Sequence, residues 1–429
     1  MKTVLMIAPY FPPRRRVGSL RPFKFAIHLK KYGWQPVILT IGYAHDELTQ
    51  KEKNLLDGIK IIEVNPPFDK TAGTSGKKDP TTSAGKIGNF IANWIDRNTP
   101  VDSWIFLFWM KYLWIMNQVK AIKPDLIWST GDPWSAHWLA DKLAKDLTLP
   151  WAADFRDPWT LATVNLRQRS AFSFQKDREA ERRVIENADQ LIFTSETTED
   201  LYDEYYGTSF KSTTIYNSSD KTLFENEQHY SWNKKPDPSR LHLFFYGSFR
   251  RLSPAGPVAE AIKALQRKDP HAANLIRVHS FGTTAEEEKK HLHKMGLTEN
   301  FVEHKPVLPE FTLSVLNSSD VLLISTHAER KHIIPAKLWD YLAANRPVLS
   351  IAPNPEIGFI LEKSNAGVQI QPGEHDKIAE CLAGFLKRKQ EGNSLLPHFE
   401  KSNSGRAVFD AENTTSELAS IFEELTGHG

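Results

Sequence analysis

The run Pro335-Ala336-Lys337-Leu338-Trp339-Asp340-Tyr341-Leu342-Ala343-Ala344-Asn345-Arg346-Pro347-Val348-Leu349 gathers residue types suited to one kind of chemistry. Its spacing predicts a helix over 335–344 that opens on a proline, where no N–H is needed, and hands off to a buried strand. The free N–H groups and positive dipole end of such a helix attract phosphate. Asp340, one turn deeper, is placed to accept both hydroxyls of a ribose. On these residues alone, nucleotide recognition and an ordinary crossover helix with an N-terminal acid are equally open. A second run, Thr130-Gly131-Asp132-Pro133-Trp134-Ser135-Ala136-His137, ends a predicted strand and opens a helix. His137 is in reach of a ligand there, although a structural histidine suits a helix start better.

Other chemistries are excluded by what the chain lacks. It has no G-x-G-x-x-G, no G-x-x-x-x-G-K-[ST] and no G-x-S-x-G. No D-x-D occurs, so the usual carboxylate pair for a divalent ion on a nucleotide-sugar is missing. His291 and His293 lack a third ligand at metal-site spacing and read as an exposed helix face, so no metal site is expected. The single cysteine, Cys381, excludes internal disulfides and Cys-rich metal sites and points to a reducing compartment. Lys+Arg (54) nearly balances Asp+Glu (52), which argues against a nucleic-acid partner. The apolar run Trp104–Met116 is shorter than the ~20 residues a spanning helix needs, and Lys111 interrupts it. The N-terminus does not read as a signal peptide, so a cytoplasmic location is expected.

The elements that must carry these residues alternate. Strands are predicted at Thr3–Ala8, Gln35–Thr40, Lys60–Val64, Asp125–Ser129, Trp151–Asp154 and Gln190–Thr194, with helices at Gly18–Tyr32 and His137–Asp146 among them. Strand and helix in repeated alternation mean a parallel sheet with crossover helices. The pattern restarts with strands at Leu243–Gly247, Ile276–Phe281, Val302–His304, Val321–Ser325 and Val348–Ala352. The expected division is an N-terminal unit 1–225, a linker 226–240, a C-terminal unit 241–400 and a helical tail 401–429.

Taken in order, these motifs resemble the GT-B glycosyltransferases, in particular family 4-like enzymes. Pro335–Ala343 is similar to the C-terminal signature "P-x-K-[LIV]-[FWY]-[DE]-Y-L-A". Ala8–Pro13 followed by Gly18 resembles the first strand and glycine loop. Trp151-Ala152-Ala153-Asp154-Phe155-Arg156-Asp157-Pro158-Trp159 resembles the "W-V-A-D-F-R-D-P-W" block of one branch. Glu181–Asp189, Ile215–Asp220 and Phe244-Phe245-Tyr246-Gly247-Ser248 resemble further blocks, so that the likeness covers nearly the whole chain.

The resemblance implies an α/β fold of two Rossmann-like domains facing a cleft, with the C-terminal helix returning to the N-terminal domain. It implies a nucleotide-diphosphate sugar as co-substrate and no cofactor. Transfer would proceed with retention and without a metal. Leaving-group charge then falls to cationic side chains after the Gly247-Ser248 turn, Arg250 and Arg251. The family's Lys-Gly is absent from Leu252–Pro257, so Lys337 is assigned part of the diphosphate contact. His332 stands where many members carry a Glu, eight residues before Asp340, and Ile333-Ile334 where a Gly-Phe pair is usual; the donor sugar stays unassigned.

Arg156-Asp157 stands in place of "H-D" or "H-G". Arginine cannot shuttle a proton at neutral pH; it stabilises negative charge or grips an acidic group. A buried ion pair fixing the loop is the other reading, and Asp154 is the alternative residue facing the anomeric carbon. Trp134 and Trp159 are expected to offer faces for sugar stacking, while Trp104, Trp109 and Trp114 are expected in the core.

Two other functions stay open: a nucleotide-sugar epimerase of the same fold, and a degenerate nucleotide-sugar-binding protein. The acceptor is expected to be a glycan or lipid-linked, in surface polysaccharide synthesis. Arg14, Arg15, Arg16, Arg21 and Lys24, with Lys70, Lys77, Lys78 and Lys86 around the amphipathic Ile87, Phe90, Ile91 and Trp94, suggest an anionic membrane surface as a further partner. A core-packed apolar face with solvated lysines is the equal alternative.

Overall fold

The computed structural model describes residues 1–14, 16–42, 47–66, 94–95, 97–162, 169–207, 209–224, 229–232, 235–344, 346–396 and 404–427. The chain divides into two compact units, Met1–Asn217 with Ala411–Gly429, and Ser218–Asp410. The first therefore ends before 225, and the region read as a linker belongs to the second. There, Trp232 packs edge-on against Phe281 and His304 and at a tilt against Phe244. Aromatic anchoring of that kind is contact with a sheet, not a loose tether.

Unit 1 holds a seven-stranded sheet in the order β3-β2-β1-β4-β5-β6-β7. Its strands are β1 Lys2–Ile7, β2 Trp34–Ile41, β3 Lys60–Val64, β4 Leu126–Gly131, β5 Trp151–Phe155, β6 Gln190–Phe193 and β7 Ser212–Thr214. All pairs are parallel, with Leu5 opposite Val37 on one side and Ile127 on the other. Strands buried on both faces read as continuous apolar runs, and Val4–Ile7 is fully buried. The Val17–Leu29 helix returns the chain from β1 to β2 and closes through a short turn at Gly33, in the left-handed conformation (φ 83°). The Ala411–Thr426 helix packs on this unit: Phe422 meets Trp34 edge-to-face and Glu423 pairs with Lys2.

Unit 2 holds a six-stranded parallel sheet in the order β10-β9-β8-β11-β12-β13. Its strands are β8 Leu241–Phe245, β9 Ile276–Phe281, β10 Phe301–His304, β11 Val321–Ser325, β12 Val348–Ile351 and β13 Gly367–Ile370. Three imidazoles stitch the first strands together. His242 Nε2–H donates to the Asp237 carbonyl (2.7 Å), so its Nδ1 accepts from His279 (2.9 Å), whose own Nδ1 accepts from His304 (2.8 Å). Burial lowers the pKa of all three, His279 to about 3.

The Ile105–Ile122 helix differs from expectation. Leu107, Phe108, Ile115, Met116 and Val119 are buried against unit 1, but Trp109 (67% exposed) and Trp114 face outward with Phe106, Met110 and Leu113 (77%). The run is apolar all round, so helical spacing did not reveal which aromatics are core. No helix among the described residues is long and apolar enough to cross a membrane. Arg15, the lysines at 70, 77, 78 and 86, and Ile87, Phe90 and Ile91 lie outside the described residues; Trp94 is exposed.

Candidate active site

In an open parallel sheet, ligands settle outside the carboxyl ends of the strands, where the strand order reverses. Each unit has one such point, between β1 and β4 and between β8 and β11. The candidate residues collect at both.

In unit 1, Arg156 follows β5 and reaches across two loops. Its Nη1 donates to the Gly18 carbonyl beyond β1 and its Nη2 to the Asp132 carbonyl beyond β4, both at 3.1 Å. A Cβ on Gly18 would lie 2.2–2.8 Å from the guanidinium, so only glycine leaves room for this approach. Asp157 sits beside Arg156 at 3.5 Å and is about half exposed. The Arg156 side chain remains 12% exposed.

Two unit 1 expectations are corrected, and His137 takes the structural one of its two readings. Asp154 does not face a substrate: it is fully buried, both oxygens take Arg21 Nε–H (3.0 and 3.1 Å), and Thr130 Oγ donates to one of them (2.7 Å). Arg21 Nη2 adds a 2.7 Å ion pair. His137 lies under the surface with Nδ1 against Ser129 Oγ (2.8 Å) and its ring stacked on Phe155; burial lowers its pKa to about 3. Trp134 and Trp159 stack on each other (4.9 Å, 5° between planes), with Phe155 and His137 beside Trp134. Both indoles are buried, so neither offers a face for a sugar ring.

In unit 2, Gly247 follows β8 with φ 134°, a conformation that side chains rarely adopt. Gly282, just past β9, presses on the same turn: a Cβ there would meet Ser248 Oγ at 2.5 Å and backbone atoms of Gly247 and Ser248 at 3.1 Å. Helix Lys337–Ala344 stands over this turn. It begins at Lys337, two residues later than expected; Pro335 and Ala336 form the tight entry turn, their carbonyls accepting from Leu338 and Trp339. Tyr341 fixes the helix. Its fully buried hydroxyl accepts from the Tyr246 amide (2.9 Å) and donates to the Leu323 carbonyl (3.1 Å).

That placement brings Lys337 Nζ over the Phe245 ring, 3.4 Å from its centroid, and beside Gly247. Burial, then the positive charges of Arg250 and Arg330, lower its pKa to about 7, while the Asp340 carboxylate acts against them. Three basic side chains and one carboxylate thus act on one another around Lys337, and the excess positive charge suits a polyanion. Arg251 does not join them; it forms an exposed ion pair with Glu329 (2.6 Å). His332 is half-buried on the loop that carries Arg330.

Sequence reasoning gave Arg21 and Lys24 to a membrane surface, whereas both are buried, saw Thr130 only as part of a loop motif, and missed Arg330 and Gly282. Only Arg330 carried a local signal, as a cation seven residues before Lys337.

Residues 79–217 match the model of the glycosyl transferase 4-like domain. The whole chain aligns with sucrose-phosphate synthase of Thermosynechococcus elongatus (TM-score 0.64, 12% identity, 100% of both chains). It aligns similarly with a glycosyltransferase from Rickettsia africae (0.61, 14%, 100% of this chain and 99% of that one). HepE of Anabaena, solved in complex with UDP and glucose, gives 0.60 at 15%, covering 99% of this chain and 100% of that one. The fold is that of the GT-B glycosyltransferases. No curated protein sequence matches the chain.

Within the GT-B fold, the Lys337–Ala344 helix and the Gly247-Ser248 turn lie at the switch point of unit 2, and the Gly18–Arg156 contact lies at that of unit 1. Among the described residues, no group of three or more His, Cys, Asp or Glu side chains is placed to hold a metal.

Proposed function

We propose that the protein is a retaining, metal-independent glycosyltransferase that takes a sugar from a nucleoside diphosphate, UDP by likeness to HepE, and passes it to a glycan or lipid-linked acceptor in surface polysaccharide synthesis. One observation carries the reading. Lys337 stands over a glycine turn at the carboxyl end of β8, within electrostatic reach of Arg250 and Arg330 and one helical turn from the Asp340 carboxylate. Cations held in a partly desolvated site stabilise the diphosphate that departs as the glycosidic bond breaks. Asp340 would accept the ribose hydroxyls, and Ser248 and His332 would line the donor side. On the acceptor side, Arg156 acts as a fixed cation and Gly18 as the gap that admits it. The proposed location is the cytoplasm, at the inner face of the cell membrane.

The test is nucleotide binding followed by turnover. UDP should raise the melting temperature of the native chain. Asp340→Ala should abolish that rise while leaving the unliganded melt unchanged; an undiminished rise would remove the ribose assignment. Release of UDP from UDP-sugars should continue in EDTA. Activity lost in EDTA and restored by Mg²⁺ would overturn the metal-independent mechanism. Interconversion of the donor sugar without transfer would indicate an epimerase instead.

A further inference from the structure

The outward face of the Ile105–Ile122 helix has no role in the chemistry above. Phe106, Trp109, Met110, Leu113 and Trp114 are all exposed on it, while the opposite face is buried in the unit 1 core. Isolated exposed apolar residues need no explanation, but five large ones on two turns of a single helix mark a contact surface.

The charge on this helix selects among occupants. Its exposed charges are Lys111 and Lys120, with Lys123 at its end, and no acidic residue occurs between Ser103 and Pro124. In a two-fold contact centred on this face the same acid-free helix would lie opposite, so these lysines would find no counter-charge there. An anionic lipid surface meets both features: its interface takes up tryptophan and aliphatic side chains, and its headgroups attract the lysines.

The orientation of the helix is also fixed. At its start, Asp102 accepts from the Ser135 amide (2.8 Å), just past the carboxyl end of β4. Beyond its far end, Asp125 accepts from the Thr3 amide (2.6 Å) at the amino end of β1. The apolar half, 106–114, therefore lies toward the same sheet edge as Gly18, Asp132 and Arg156.

We infer that this helix face seats in the surface of an anionic bilayer and so brings the carboxyl edge of the unit 1 sheet to the membrane. The surface is independent of the glycosyl-transfer reading, on which only its purpose, reaching a lipid-linked acceptor, rests. It differs from the 70–95 segment suggested by the sequence.

Sedimentation of the full chain with vesicles, without donor, tests it. The wild type should pellet with 1:1 phosphatidylglycerol–phosphatidylcholine vesicles at low salt, and far less with pure phosphatidylcholine or in 0.5 M NaCl, roughly the salt range over which surface charge is screened. The Trp109→Gln/Leu113→Gln and Lys111→Glu/Lys120→Glu pairs should each reduce binding about tenfold or more, the size expected when some 1.4 kcal/mol is lost. Both should melt as the wild type does, because the side chains are exposed. Phe359→Gln, an exposed aromatic of unit 2, should bind as the wild type does. Absence of wild-type binding at low salt, or unchanged binding in both pairs, overturns the inference. So does a concentration-dependent dimer that Trp109→Gln/Leu113→Gln abolishes, which gives the face to a second copy. A lowered melting temperature of that variant together with no vesicle binding gives it to another segment of the same chain. UDP binding, measured separately, reports on the donor site whichever way the vesicles behave.

Discussion

At the scale of single residues, Lys337 is the most sensitive reporter of the proposed donor site. With a pKa lowered to about 7, its ammonium is partly deprotonated in the free protein near neutrality. A bound diphosphate supplies the negative charge that burial and the neighbouring arginines deny it, so its pKa must rise on binding. Binding of UDP should therefore take up protons at pH 8, and affinity should decline as pH rises from 7 to 9. Calorimetry in buffers of different ionisation enthalpy measures this uptake directly. Lys337→Gln should abolish the uptake and weaken UDP about a hundredfold, the loss expected of a charged hydrogen bond worth ~2–3 kcal/mol. Equal uptake in the variant would mean another group titrates. The sequence assigned the lysine part of a diphosphate contact but gave no sign of its Phe245 seat, because Phe245 lies 92 positions earlier.

At the scale of elements, the parallel strands were legible because strands buried on both faces are continuous apolar runs bounded by glycine and proline. What one element does to another was not. Asp154 sits in a motif suggesting catalysis, yet its partner Arg21 lies on a helix 133 positions away, and together they tie the Val17–Leu29 helix to β5. Arg21 Nη1 extends the tie to the Tyr216 carbonyl (2.9 Å). Arg21→Ala would leave Asp154 buried without its counter-charge, at a cost of about 3–5 kcal/mol. The unfolding transition of unit 1 in urea should shift accordingly, and Arg21→Met with Asp154→Leu should recover much of the loss. A cost under about 1 kcal/mol for Arg21→Ala would show that water reaches the pair. The Ile105–Ile122 helix failed for the opposite reason: its composition was plain, but a run apolar on every side gives no period from which to read its buried face.

At the scale of the molecule, each unit carries a buried histidine whose pKa is lowered furthest among its described histidines, His137 in the first and His279 in the second. Their pKa values are lowered to about 3, against 6.5 unfolded, so between those limits the unfolded chain binds more protons. Stability is then full above pH 6.5 and declines as pH falls toward 3, by up to about 1.4 kcal/mol per pH unit for each histidine. Urea unfolding followed from pH 7 to 5 should show both units weakening, and His279→Gln should reduce the dependence of unit 2 alone, His242 and His304 keeping the remainder. No pH dependence in either unit would contradict their burial. The path of the chain adds a constraint of timing. Unit 1 is left unfinished at Asn217 and resumed at Ala411, whose helix covers Trp34. A ribosome delivering about 5–20 residues per second polymerises the whole of unit 2 before that helix exists. The first unit to be synthesised is thus the last to be complete, and its Trp34 flank goes without the Ala411–Thr426 helix until synthesis has passed through unit 2.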